Sequence, residues 1–282
     1  MSARLRMLYH ELGRSVLLNV TSAEVNKSLY RMRIWLASLT CSVVASGGTA
    51  PLYAEEFTSN GVKIHYVVKG QGEPVILVHG LYSSAKMNWE MPGTLTELAK
   101  HYQVIALDNR GHGQSDKPEA DDQYGVQMVE DVVRLMDHLH LAKAHVVGYS
   151  LGGMITLKLL TVHPERVSSA ILGGMGWLRA DSPMQHFWEE IQGRRNAKVP
   201  AACVRGIAKL AVTEAEVKAV RVPVTIIVGE RDPCRRFYVE PLLRVRPDWP
   251  EHVIQDAAHI NCVLKPAFKT QIQAALKQRK LY

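Results

Sequence analysis

Ala144-His145-Val146-Val147-Gly148-Tyr149-Ser150-Leu151-Gly152-Gly153 decides how the rest of this chain is read. The apolar run ahead of Gly148 has the character of a buried strand, and Met154 to Leu160 beyond Gly153 is helix-compatible. A strand, a very tight turn and a helix follow one another, with a serine at the apex. Glycines two positions either side of Ser150 remove the Cβ atoms that would hold strand and helix apart, and the backbone can strain to lift the hydroxyl out of the sheet.

Five letters of this kind recur by chance, so their weight rests on what lies downstream. Pro223 to Gly229 reads as a buried, β-branched strand that ends in Glu230-Arg231-Asp232-Pro233, which sets a carboxylate at its C-terminal edge. His252-Val253-Ile254 reads as a short strand, followed by Gln255-Asp256-Ala257-Ala258-His259. The chain order is serine, acid, histidine. Serine is a poor nucleophile at neutral pH, so a histidine must take its proton during attack on a carbonyl and an acid must orient that histidine. Asp232 is preferred as the acid because Asp-Pro terminates the strand, with Glu230 as the competitor.

Two further segments complete a set that resembles the α/β-hydrolase superfamily over roughly residues 55–282: Val75-Ile76-Leu77-Val78-His79-Gly80, like the strand and oxyanion turn, and Asp108 to Ser115, like the D-x-R-G-x-G-x-S loop. The resemblance implies Ser150 as nucleophile, His259 as base and Asp232 as acid. It also implies an oxyanion hole made by the backbone N–H groups of Leu151 and Leu81. His79 is expected to order its loop, and Asp108 to Ser115, with His112, to scaffold the site. A serine at position 150 excludes the aspartate nucleophile of related dehalogenases and epoxide hydrolases. The implied chemistry is cofactor-free hydrolysis of a carboxylic ester or lactone through an acyl-serine. The alternatives are carbon–carbon hydrolysis, amide or prolyl-peptide cleavage, perhydrolysis, and a non-enzymatic receptor or scaffold.

Asn60-Gly61 between apolar flanks signals a hairpin and an antiparallel sheet edge. Strands are expected near Val75 to Val78, Gln103 to Leu107, His145 to Val147, Ser168 to Leu172, Val224 to Val228 and His252 to Ile254. Helices are expected over Thr94 to His101, Val126 to Leu139, Met154 to Thr161 and Pro266 to Lys280. That alternation predicts an α/β fold: a mostly parallel sheet of about eight strands with helices on both faces. An insertion over about residues 177–221 resembles the family's helical lid. Met184, Phe187, Trp188 and Ile191 fall on one helix face there, and with Trp177 and Leu178 they are candidates both for core packing and for roofing an apolar substrate pocket.

At 282 residues and 47% hydrophobic content the chain can bury one substantial core. Its formal net charge of +7 is concentrated early: six basic against two acidic residues precede residue 55, a net of +4, which leaves +3 for the rest. No basic stripe interleaved with aromatics appears in the body, so the expected partner is a small molecule and not nucleic acid. The histidines are dispersed, without metal-ligand spacing, and Gly148 to Gly153 lacks a dinucleotide fingerprint. Of four cysteines, Cys41 precedes the body. Cys234 and Cys262 fall beside the expected acid and histidine, where a disulfide and two free thiols are both open readings.

Arg31 and Arg33 ahead of the apolar run Ile34 to Ala45, then small residues to Pro51, have the order of a secretory signal; the run is too short for a membrane span. Residues 1–54 are therefore expected to be an N-terminal extension with a signal segment near 31–54, giving an exported protein, or a cytoplasmic one if that segment is not a signal. Cleavage is expected after Ala45 or Ala54, and translation start at Met1 or Met32; an amphipathic helix and a disordered extension are both open for the first thirty residues.

Overall fold

The computed structural model describes residues 52–180, 182 and 198–279. The chain divides into two compact units, 1–48 and 49–282, and the described residues all belong to the second. The signal-like segment up to 51 and the Met184, Phe187 and Trp188 face lie outside the described residues.

Asn60 and Gly61 take φ of 48° and 80°, the double left-handed turn that a two-residue hairpin demands. They join β1 (Tyr53–Ser59) to β2 (Val62–Lys69) in an antiparallel pair. The remaining strands are β3 (Pro74–Val78), β4 (Gln103–Leu107), β5 (Ala144–Tyr149), β6 (Val167–Gly173), β7 (Val224–Gly229) and β8 (Glu251–Ile254). They form one eight-stranded sheet in the order β1-β2-β4-β3-β5-β6-β7-β8. β2 pairs antiparallel with β4, and from β4 to β8 every pair is parallel. β1 starts at Tyr53, opposite Val68, two residues before the boundary expected at 54/55.

The helices are α1 (Thr94–Leu98), α2 (Val126–His138), α3 (Leu151–Val162), α4 (Ala201–Gly206), α5 (Glu214–Ala219), α6 (Glu240–Val245) and α7 (Pro266–Arg279). Strand side chains alternate between two cores. Ile76, Val78, Val146 and Leu172 face one core with Val129 and Val132 of α2 and Ile155 of α3, while Val75, Leu77, Val147 and Ile171 face the other with Leu98 of α1 and Phe268 and Ile272 of α7. α1 is shorter than the expected 94–101 because the Leu98 carbonyl accepts from both His101 and Tyr102 N–H, closing the turn. α3 starts three residues earlier than expected, since the Ser150 carbonyl already accepts from Gly153 and Met154.

Between β6 and β7 the described part of the insertion comprises α4, a 3-10 turn (Ile207–Leu210) and α5. A capping box starts α5: Glu216 N–H donates to Thr213 Oγ1 at 3.2 Å, and Thr213 N–H to Glu216 Oε2 at 2.7 Å. β3 and β5 are neighbours from which the chain winds outward in opposite directions, so the crevice beyond their carboxyl ends is the topological switch point of the sheet. Val78 pairs with Gly148, which brings the segments after the two strands level.

Candidate active site

Ser150 leaves β5 with φ 53° and ψ −114°, a conformation that L-residues adopt only under constraint. The constraint is visible on every side. Its N–H donates to Gly173 O at 2.8 Å, and a Cβ on Gly152 would stand 2.0 Å from the Val78 carbonyl oxygen, so only glycine lets α3 pass β3 this closely. The turn holds the hydroxyl at the crevice, with the residue only 7% exposed.

β7 and β8 deliver the partners. Asp232 is buried three residues beyond β7, and His259 follows β8 on a half-buried loop. His259 Nε2 lies 2.8 Å from Ser150 Oγ, and its Nδ1 lies 2.8 Å from Asp232 Oδ2. A carboxylate only accepts, so Nδ1 carries the imidazole proton and Nε2 offers its lone pair to the serine hydroxyl. Asp232 Oδ1 accepts the Cys234 N–H at 2.8 Å, which fixes the carboxylate's rotation. Glu230, the competing acid, is exposed, and its Oε2 accepts the Asp256 N–H at 3.1 Å. An imidazole so placed can remove the Oγ proton and return it to a leaving group.

Leu151 is the first residue of α3, where an N–H has no intrahelical acceptor, and Leu81 follows Gly80 across the crevice. Two features fix the second turn. Gly80 N–H donates to Asn88 Oδ1 at 2.9 Å, and a Cβ on Gly80 would come 3.2 Å from Ser150 Cβ. His79 Nδ1–H donates to Gly80 O at 2.7 Å while its Nε2 accepts the Asn109 N–H at 3.0 Å. Both ring nitrogens are thus engaged, and burial lowers the His79 pKa, keeping the ring neutral. His112 packs edge-on against His79 with centroids 5.2 Å apart, and burial brings its pKa down to about 3. The loop Asp108 to Ser115 is scaffolding in the geometric sense. Asp108 accepts from Ala85 N–H and Gln114 N–H and pairs with His65 Nδ1 at 3.1 Å.

Two contributors carried no sequence signal. Asn88 sits in a π-helical turn (Lys86–Glu90) that no spacing announced. Tyr149 occupies the unspecified position before Ser150, yet its ring stacks on His259 at 5.7 Å and its hydroxyl donates to the His259 carbonyl. Burial raises the Tyr149 pKa well above that of a free phenol, so it stays a donor.

A pocket of about 270 Å³ opens over Ser150. Leu81, Met87, Ile260, Val263 and Leu264 form its apolar wall. Trp177, a candidate both for core packing and for the pocket roof, is buried in the core, where its indole N–H donates to Val212 O at 2.6 Å; it does not line this pocket. Cys203, Cys234 and Cys262 are all free and buried. Burial and the nearby Asp232 carboxylate raise both thiols beside the acid, Cys262 to about 12. No described helix is long and apolar enough to cross a membrane.

Residues 73–205 match the family described as the alpha/beta hydrolase fold. Sheet order, elbow and match together give the described residues the α/β-hydrolase fold. Among its relatives, 2-hydroxymuconate semialdehyde hydrolase of Pseudomonas sp. (strain CF600) is 37% identical over 128 residues, 44% of this chain and 44% of the relative. 2-hydroxy-6-oxo-6-(2'-aminophenyl)hexa-2,4-dienoic acid hydrolase of Metapseudomonas resinovorans is 33% identical over 129 residues, 45% and 44% of the two chains. The chain thus spans under half the length of these curated relatives. The solved structure of 2-hydroxy-6-oxo-6-phenylhexa-2,4-dienoate hydrolase from Rhodococcus sp. strain RHA1 superposes with a TM-score of 0.65 at 22% identity, covering 81% of this chain and all of that one. At that identity the likeness speaks to the fold.

Proposed function

We propose that the protein is a serine hydrolase in which Ser150 attacks a carbonyl, His259 relays the proton and Asp232 holds the imidazole. Leu81 and Leu151 N–H groups would receive the oxyanion. The observation that carries this reading is the unbroken relay of two 2.8 Å contacts from Asp232 through His259 to Ser150 Oγ. The preferred substrate is a small carboxylic ester or lactone with an apolar portion, because the described wall of the pocket is apolar.

A second reading, cleavage of a carbon–carbon bond beside a carbonyl, is favoured by relatives named for an oxo-dienoic acid and a semialdehyde. The two readings separate on charge: a dienoic acid needs a cationic subsite, and a neutral ester does not. A fluorophosphonate probe followed by p-nitrophenyl esters of increasing acyl length tests the preferred one. Ser150→Ala is expected to abolish labelling and lower kcat by about 10⁴-fold or more. Labelling that persists in that variant overturns the nucleophile, and turnover of an oxo-dienoate without esterase activity selects the second reading.

Export is part of the same proposal, supported by the apolar run Ile34 to Ala45 behind Arg31 and Arg33. Cleavage after Ala45 is preferred, since cleavage after Ala54 would remove two residues of β1. N-terminal sequencing of extracytoplasmic protein should begin at Ser46; recovery of the intact N-terminus alone argues against export.

A further inference from the structure

The fold gathers a donor set that the dispersed histidines and cysteines of the sequence did not announce. Asp232, Cys234 and His259 each offer a ligating atom, and these atoms all lie within 4.8 Å of one another. The arrangement follows from the loop after β7. Cys234 N–H folds back onto Asp232 Oδ1, so the thiol is carried to the same side as the carboxylate that holds His259 Nδ1. A tetrahedral ion with bonds of about 2.0–2.3 Å sets its ligand atoms roughly 3.5 Å apart, so side-chain rotations on the order of an ångström would close the set. One sulfur, one imidazole nitrogen and one carboxylate oxygen suit zinc and discriminate against magnesium and calcium, which take oxygen ligands. A thiolate and a carboxylate also balance the charge of a dication.

We propose that Asp232, Cys234 and His259 form a site for a thiophilic divalent cation, with zinc as the reference ion, and that its occupation switches Ser150 off. On binding, the Cys234 thiol releases one proton to solvent. The imidazole proton leaves Nδ1 for the metal to take its place and is regained on Nε2, so His259 stays neutral in the other tautomer. An Nε2–H donates to Ser150 Oγ where a lone pair previously accepted from it, and the general base is lost. The binding half of this inference stands on geometry alone; the inhibitory half rests on the proposed roles of Ser150 and His259.

Titration of the chelator-treated full chain with Co²⁺, followed by absorbance, tests the binding. A near-ultraviolet thiolate-to-cobalt charge-transfer band with the intense visible bands of a tetrahedral ion is expected, and Zn²⁺ should displace it. Cys234→Ala and Cys234→Ser should each lose the charge-transfer band, while Cys203→Ala retains it. Ser150→Ala should also retain it, which separates failure of this site from failure of the hydrolase reading. Zn²⁺ should lower esterase turnover at least 10-fold, reversibly with EDTA, and the Cys234 variants, each judged against its own metal-free rate, should need at least 10-fold more Zn²⁺. A charge-transfer band that survives in correctly folded Cys234 variants, or fails to form in the unsubstituted chain, overturns the site. Zinc binding without loss of turnover overturns the switch.

Discussion

Beneath Ser150 the loop Asp108 to Ser115 is tied inward by hydrogen bonds: Asp108 alone engages His65, Ala85 and Gln114, and Ser115 Oγ–H donates to the Asp108 carbonyl at 2.6 Å. Around the pocket mouth the arrangement is the reverse. Met87, Ile260 and Leu264 are 54%, 87% and 53% exposed although they sit beside the reactive atoms. The floor fixes where the Ser150 hydroxyl and the Gly80 turn stand; the rim has little packing to lose. On the proposed function, chemistry and selectivity fall to parts that differ in how tightly they are bonded and packed, and substitutions in the two should fail in different ways.

The sharpest break should come from Arg110→Ala. Arg110 is fully buried and grips Asp131 with two contacts of 2.6 Å, so truncation leaves that buried carboxylate with Ser59 Oγ and the more distant Arg134 alone and should cost roughly 3 kcal/mol, read as a fall in the urea midpoint. A folded variant of unchanged midpoint but altered acyl preference would erase the distinction. Acid should come next. His112 has a folded pKa of about 3 against 6.5 unfolded, so the unfolded chain binds more protons between those values. Its contribution is complete above pH 6.5 and is lost as the pH falls toward 3, and His79, also lowered by burial, acts with the same sign. Denaturant midpoints measured from pH 7 to 4 should decline, and less steeply in His112→Asn.

Asn88 joins the two regions, and Asn88→Ala frees the Gly80 N–H that fixes the oxyanion turn. Steady-state kinetics should show kcat down about 10- to 100-fold with KM little changed, since donor placement matters most in the transition state. The smallest effect belongs to Ile260→Ala. KM for the longest p-nitrophenyl ester should rise a few-fold, about 1 kcal/mol, while the midpoint stays within about 0.5 kcal/mol. If it destabilises the fold instead, the rim is packing and not selection.

Much of this architecture is legible in the sequence because its signals are local. Asn60-Gly61 specifies its own turn, the β-branched runs specify buried strands, and Gly148 and Gly152 specify the close pass of strand and helix. The acid and histidine are legible through their order along the chain. Asn88 and Tyr149 are not, because each acts across the crevice on a backbone group that no spacing relates to it, and the place of Ile260 on the pocket wall depends on the same long-range approach. Trp177 is ambiguous for a related reason: an apolar residue beside a lid looks the same in sequence whether it faces the pocket or hands its N–H to Val212, as it does here. Cys234 and Cys262 were open between bridge and thiol, and the structure has them as thiols.

The backbone at Ser150 is held where a glycine would rest at ease, since φ 53° with ψ −114° mirrors an ordinary extended conformation. Such a residue costs on the order of 1–3 kcal/mol, so a Ser150→Gly chain should melt later than the functional one while hydrolysing nothing. If Ser150 is the nucleophile proposed, durability and reactivity pull in opposite directions at this position.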